Sequence, residues 1–167
     1  MGAEIYWIEG IAPHRLATMP MPRSWEGLSD QILALKQEGV ETLVSLLTPR
    51  EGLDLDLKQE PEYCSACGID FISFPIPDTE TPASKTATLE LAQRLAIMVK
   101  AGKGVAIHCL GGIGRSSVIA ACVLAILGIG PEEAFRLIRK SRGCDVPQTA
   151  EQKEWVYGFV STMIATN

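Results

Sequence analysis

Apolar positions change their spacing several times along the chain, and each change marks an element. Leu28, Ile32 and Leu35 recur at helical spacing and Gly39 follows, which predicts a helix closed by that glycine. The β-rich run Thr42 to Leu47 comes directly after it and is broken by residues 48–52, a helix-to-strand crossover. Ile69 to Phe74 alternates apolar and polar positions and reads as a further strand, ended by Pro75 and Pro77. Ser84 is placed to cap a helix whose stripe is Leu91, Leu95 and Met98, ending at Gly102, and residues 104–108 return as a strand. Val118 to Leu127 is apolar without interruption, as in a helix covered on all sides.

Pro131 then starts a helix with Glu132 and Glu133 in its first turn and Phe135, Leu137 and Ile138 on its buried side; a last helix is expected from about Thr149 to Ile164. At the other end, Ile5 to Ile11 reads as a first strand, and the passage through Pro13, Pro20 and Pro22 is expected to lie extended on the surface. Residues 53–67 admit two readings: Leu53, Leu55 and Leu57 alternate as in a strand, while a surface helix through Glu62 and Tyr63 fits equally. Strands alternating with helical patterns predict one α/β domain over residues 1–167, with a mainly parallel central β-sheet flanked by helices on both faces.

Composition narrows the function classes. The longest apolar run is far shorter than a bilayer requires, so no membrane span is expected. Met1 to Gly10 has acidic residues and no basic start ahead of an apolar stretch, so no secretory leader is expected there. The five cysteines are an odd number and fit a reducing, cytoplasmic setting better than a disulfide framework. A net charge of -5 with no basic run disfavours nucleic-acid partners.

The candidate chemistry lies where the strand 104–108 meets the apolar helix. Leu110, Gly111, Gly112, Ile113 and Gly114 form a glycine-rich loop whose N–H groups can converge on an anion, and the helix opening at Arg115 aims its own N–H groups and positive dipole end at the same point. Such surroundings lower a thiol from about 8.5 to roughly 3.5–7.5, so Cys109 is expected as thiolate. Arg115 supplies a planar fork matched to two phosphate oxygens. A phosphate held by the loop and Arg115 would present phosphorus to the Cys109 sulfur, giving a phosphocysteine, and Ser116 is placed to hydrogen-bond that sulfur as it departs. The segment lacks the lysine and spacing of a P-loop nucleotide site.

His108-Cys109-x5-Arg115-Ser116 resembles the signature of the cysteine-dependent protein tyrosine phosphatase superfamily, and the small chain looks like its dual-specificity branch. Phe74-Pro75-Ile76-Pro77-Asp78 and Asp145-Val146-Pro147-Gln148-Thr149 are similar to segments of kinase-associated-phosphatase-like members, and the resemblance covers most of residues 40–165. It implies that Asp78 is the general acid, with Glu80 as the fallback, that His108 hydrogen-bonds the loop and helps hold the thiolate, and that Gln148 positions the hydrolytic water. For Gln152 a capping box with Thr149 is explanation enough.

The substrate implied is a phosphorylated protein or peptide: phosphotyrosine, with phosphoserine and phosphothreonine as further candidates. No metal or cofactor is expected, since the CxxC of Cys64 and Cys67 has no second ligand pair to complete a zinc site. A reversible disulfide from Cys64, Cys67 or Cys122 to Cys109 is a further hypothesis. Competing functions are a phosphoinositide or small-molecule phosphatase, although Leu110 to Gly114 holds no lysine, a catalytically silent phosphate-binding module, and a sulfur-transfer enzyme, in which Asp78 would be idle. Simultaneous need for thiolate and protonated acid predicts a bell-shaped pH profile with its optimum on the acid side of neutral.

Overall fold

The computed structural model describes residues 2–165, so the ends of the expected 1–167 domain lie outside it. Its centre is a five-stranded sheet in the order β1-β2-β5-β3-β4, with β1 at Tyr6–Trp7, β2 at Leu16–Met19, β3 at Thr42–Ser45, β4 at Asp70–Ser73 and β5 at Val105–His108. β2, β5, β3 and β4 run parallel and β1 pairs antiparallel at one edge. The three interior strands are buried at every position, as expected where helices cover both faces of a sheet.

Among the described residues seven α-helices surround the sheet: α1 (Leu28–Gln37), α2 (Pro49–Asp54), α3 (Glu60–Ala66), α4 (Lys85–Lys100), α5 (Arg115–Ile126), α6 (Pro131–Arg142) and α7 (Ala150–Ala165). On one face Leu28, Ile32 and Leu35 of α1 and Cys64 of α3 pack on Ala17, Leu43 and Ala106. On the other, α5 packs on Leu16, Val44 and Ile107 and is enclosed by α4, α6 and α7. Every α5 residue from Arg115 to Ala125 is buried, which accounts for an apolar run with no polar stripe.

Two expectations are corrected. The passage between Pro13 and Pro20 contains β2, an interior strand rather than a surface segment. Its prolines flank the strand without interrupting it, so every N–H of Leu16–Met19 remains free for the ladder, while four residues are too few for periodicity to show. The first strand is only Tyr6–Trp7, because β1 is an edge strand with one neighbour. As expected, residues 48–52 end the β run, and they do so by beginning α2: Thr48 caps it, its Oγ1 accepting from the Glu51 N–H at 3.2 Å while its own N–H donates to Glu51 Oε2 at 2.8 Å, and Pro49 takes the first turn. The ambiguous stretch 53–67 is the end of α2, a turn through Asp56 at φ 56°, and α3.

Candidate active site

The loop between β5 and α5 is shaped from three sides. Gly112 adopts φ +71°, and a Cβ there would stand 2.6 Å from backbone atoms of Met19 and Pro20, so the end of β2 leaves room for glycine alone. Arg142 at the end of α6 donates from Nη2 to the Gly111 carbonyl at 3.1 Å and from Nε to the Gly112 carbonyl at 3.3 Å, with its guanidinium 4.3 Å above the Tyr6 ring. The Met21 N–H donates to the Leu110 carbonyl at 3.0 Å. Three successive carbonyls are thus drawn outward, and across planar trans peptides the following N–H groups face the opposite way, into the loop.

Cys109 opens this loop and is 3% exposed. Burial disfavours its thiolate, but the Ser116 hydroxyl and amide, the Arg115 charge and the Gly112 amide outweigh it and hold the thiol below its usual value. The Ser116 hydroxyl, fully buried on the first turn of α5, is 3.4 Å from the sulfur.

Arg115 is also buried, and both of its terminal nitrogens have partners. Glu51 takes it bidentately, Oε2 accepting from Nη1 at 2.9 Å and Oε1 from Nη2 at 3.1 Å, while Nη1 also donates to the Ile76 carbonyl at 2.8 Å. Desolvation opposes the Glu51 charge, yet Arg115 and the Thr48 cap prevail and keep the carboxyl below the ordinary range. Asp78, its side chain 51% exposed, places Oδ1 3.1 Å from Arg115 Nη2. Gln152 anchors this acid's loop: its Nε2 donates to the Glu80 carbonyl at 3.1 Å, while Oε1 accepts from the Gln148 and Thr149 N–H groups at 3.0 and 3.2 Å. The expected Thr149 capping box is present, Thr149 Oγ1 accepting from the Gln152 N–H at 3.1 Å, and Gln152 carries this further tie.

A cavity of about 200 Å³ is lined by Asp78, Cys109, Leu110, Gly111, Ile113, Gly114, Arg115 and Gln148. Eight expected site residues therefore meet at one opening. Gln148 is exposed at its rim, and the absence of a side chain on Gly114 admits it, since a Cβ there would stand 3.0 Å from Gln148 Cβ and Oε1. Ser116, Gly112 and His108 stand behind the cavity rather than in its lining, and Glu80 is exposed and contributes a carbonyl to Gln152. His108 is completely buried, with Nδ1 3.1 Å from the Cys109 carbonyl and Nε2 2.5 Å from Glu60 Oε1.

Glu51, Glu60 and Arg142 were not anticipated from sequence. Glu51 had a readable signal, since Thr48-x-x-Glu51 has capping-box spacing; Glu60 and Arg142 act across 48 and about 30 residues of chain, with no local pattern to mark them. Burial pushes the Cys64 thiol up to about 12 and raises Cys122 further, so both stay protonated at neutral pH and are poor attackers of an oxidised Cys109.

Residues 17–129 match the family model described as "Polymorphic toxin system, DSP-PTPase phosphatase". Cyclin-dependent kinase inhibitor 3 of Rattus norvegicus is 31% identical over 133 residues, which cover 78% of this chain and 62% of that protein, so the chain spans about three-fifths of that relative. A solved structure of kinase-associated phosphatase with its catalytic-site cysteine replaced by serine superposes with a TM-score of 0.86 at 25% identity, over 99% of this chain and 98% of the other. Tk-PTP in its active form gives a TM-score of 0.71 at 27% identity, over 96% and 99%. With well over half of its length inside the family model and a cysteine loop opening on α5, the chain belongs to the DSP-PTPase phosphatase family.

Proposed function

We propose that the chain is a protein phosphatase that hydrolyses phosphotyrosine, and phosphoserine or phosphothreonine where the pocket admits them, through a phosphocysteine intermediate. The observation that carries this reading is the single cavity onto which Cys109, Arg115 and Asp78 converge. The Arg115 guanidinium, freed at Nη2 as Asp78 turns to the leaving oxygen, and the inward N–H groups of Gly111, Gly112 and Ile113 bind the phosphate oxygens, and Cys109 attacks the phosphorus in line with that leaving oxygen. Asp78 gives that oxygen its proton. Water, oriented by Gln148, then attacks the phosphorus and passes a proton back to Asp78, while the Ser116 hydroxyl donates to the departing thiolate. Glu51 holds the fork for the incoming phosphate. All five cysteines are free, which supports action in a reducing cytoplasm, and no described helix is long and apolar enough to cross a membrane.

The deciding assay is p-nitrophenyl phosphate turnover at acid to neutral pH with chelator present, wild type against Cys109→Ser. Turnover by wild type alone is expected. Equal activity in both would sink the cysteine mechanism, and binding of vanadate without turnover would favour the silent phosphate-binding module. A panel of phosphopeptides against phosphoinositides then resolves the substrate, with preference for the peptides expected.

A further inference from the structure

His108 has an unusual pair of neighbours. Its Nδ1 faces the Cys109 carbonyl, which can only accept, and its Nε2 faces a carboxylate oxygen of Glu60, both residues being almost wholly removed from water. With Glu60 ionised both ring nitrogens face acceptors, so each carries a proton and the ring is an imidazolium. The charge is balanced by Glu60 on the side away from Cys109, so the pair is a buried dipole with its positive end at the nucleophile. Although desolvation alone would keep the ring neutral, Glu60 and the Cys109 carbonyl raise its pKa above the ordinary histidine value.

We propose that Glu60 is a positioning residue for the reaction: by accepting from Nε2 it keeps His108 doubly protonated, and the imidazolium so held stabilises the Cys109 thiolate from behind the loop. The inference rests on Cys109 being the nucleophile.

The neighbourhood supplies no other group for the task. His108 is flanked in the sheet by Met19 of β2 and Ser45 of β3, neither of which titrates near neutrality. Cys64 on α3 is raised by burial first and by Glu60 second, and so stays neutral. Arg115 already has Glu51 and Asp78 as its carboxylates. Lys58 shares with Glu60 a mainly apolar cavity of about 400 Å³, walled by Leu47, Leu57 and Phe71. That cavity makes the carboxylate position reachable from outside.

The test reads the thiolate itself. The rate of Cys109 alkylation by iodoacetamide, followed on the Cys109 peptide by mass spectrometry, is measured against pH for wild type, Glu60→Gln, His108→Asn and the double variant, each checked as folded by near-UV circular dichroism. Glu60→Gln is expected to move the midpoint up by about one pH unit, an alkylation roughly tenfold slower at pH values below both midpoints. His108→Asn is expected to do the same, and the double variant to add nothing further. An unmoved midpoint in either single variant, or additive shifts in the double, overturns the proposal.

Glu60→Ala provides a second arm: it opens a hole continuous with the cavity, and formate is expected to restore the low midpoint. A folded Glu60→Ala chain whose midpoint is raised and stays raised at saturating formate overturns the proposal equally. Because alkylation needs no turnover, the two readings separate. A shifted midpoint in a chain whose wild type does not hydrolyse p-nitrophenyl phosphate would remove the phosphatase reading alone, and an active wild type with an unmoved midpoint would remove only the role of Glu60.

Discussion

At the scale of single residues, the site joins one anion to be formed at Cys109 with a cation, Arg115, held by two carboxylates of unequal standing. Glu51 takes both terminal nitrogens and is largely buried, whereas Asp78 meets one of them through a single oxygen and is half exposed. This division suits Glu51 to orientation and Asp78 to proton transfer. Asp78→Asn is therefore expected to slow turnover by about 10²- to 10⁴-fold, most for poor leaving groups. Comparing phenyl with p-nitrophenyl phosphate checks this, since p-nitrophenolate departs without a proton. Glu51→Gln keeps the shape but gives up the charge and the bidentate grip. It is expected to lower kcat/KM by up to about 10²-fold through a misplaced fork, mainly as a raised KM, with the Cys109 alkylation profile little changed. Vanadate affinity measured on the same variant should weaken in parallel.

At the scale of elements, the Cys109 loop hangs between β5 and α5 but takes its shape from β2 and α6. Arg142 is the last residue of α6, and it ties the loop carbonyls at Gly111 and Gly112 while covering Tyr6 of β1. Arg142→Lys keeps a positive charge but loses the fork and the planar stack. A tenfold to hundredfold fall in kcat/KM is expected, on the order of the cost of a small misplacement of reacting groups, with the thermal midpoint nearly unchanged. Steady-state kinetics beside a thermal melt would separate this from a general loss of stability. The same scale explains why the short helices α2 and α3 matter: each delivers one buried or partly buried carboxylate, Glu51 or Glu60, to a cation on the other side of the chain.

At the scale of the whole molecule, the two perturbed groups at the site oppose one another in the pH dependence of stability. His108 has its folded pKa raised, so its contribution is complete below about 6.5, the unfolded value, and is lost as pH rises through the folded value. Cys109 has its folded pKa lowered, so its contribution is complete above about 8.5 and is lost as pH falls through the folded value. Between these pH values the folded chain holds more proton on His108 and less on Cys109 than the unfolded chain does. The two slopes have opposite signs, and wild-type stability is expected to vary less with pH than that of a chain keeping only one of the two groups. Cys109→Ser leaves the histidine slope alone, so its urea midpoint should fall relative to wild type as pH rises from 6.5 to 8.5. Glu60→Gln should do the reverse. Parallel curves for all three chains would show that the pair does not carry the charges assigned to it.

The α/β class, the order of most elements, and the glycine loop that joins β5 to the arginine opening α5 were legible because they are local. A strand, three glycines and a helix within fourteen residues set backbone directions that need no distant partner, and helical or alternating apolar spacing reports burial directly. Asp78 and Gln148 were reachable only through resemblance, since nothing near them in the chain distinguishes a turn aspartate or a loop glutamine from one that lines a cavity. Tertiary structure decided that Leu16–Met19 is an interior strand, that Glu51 grips Arg115, that Glu60 faces His108 and that Arg142 holds the loop. These are pairings across tens of residues. Periodicity over a few residues carries the direction of a side chain toward core or water, but which buried charge it meets is settled only when separate elements pack, because a charge taken out of water must find its counter-charge wherever the fold places one.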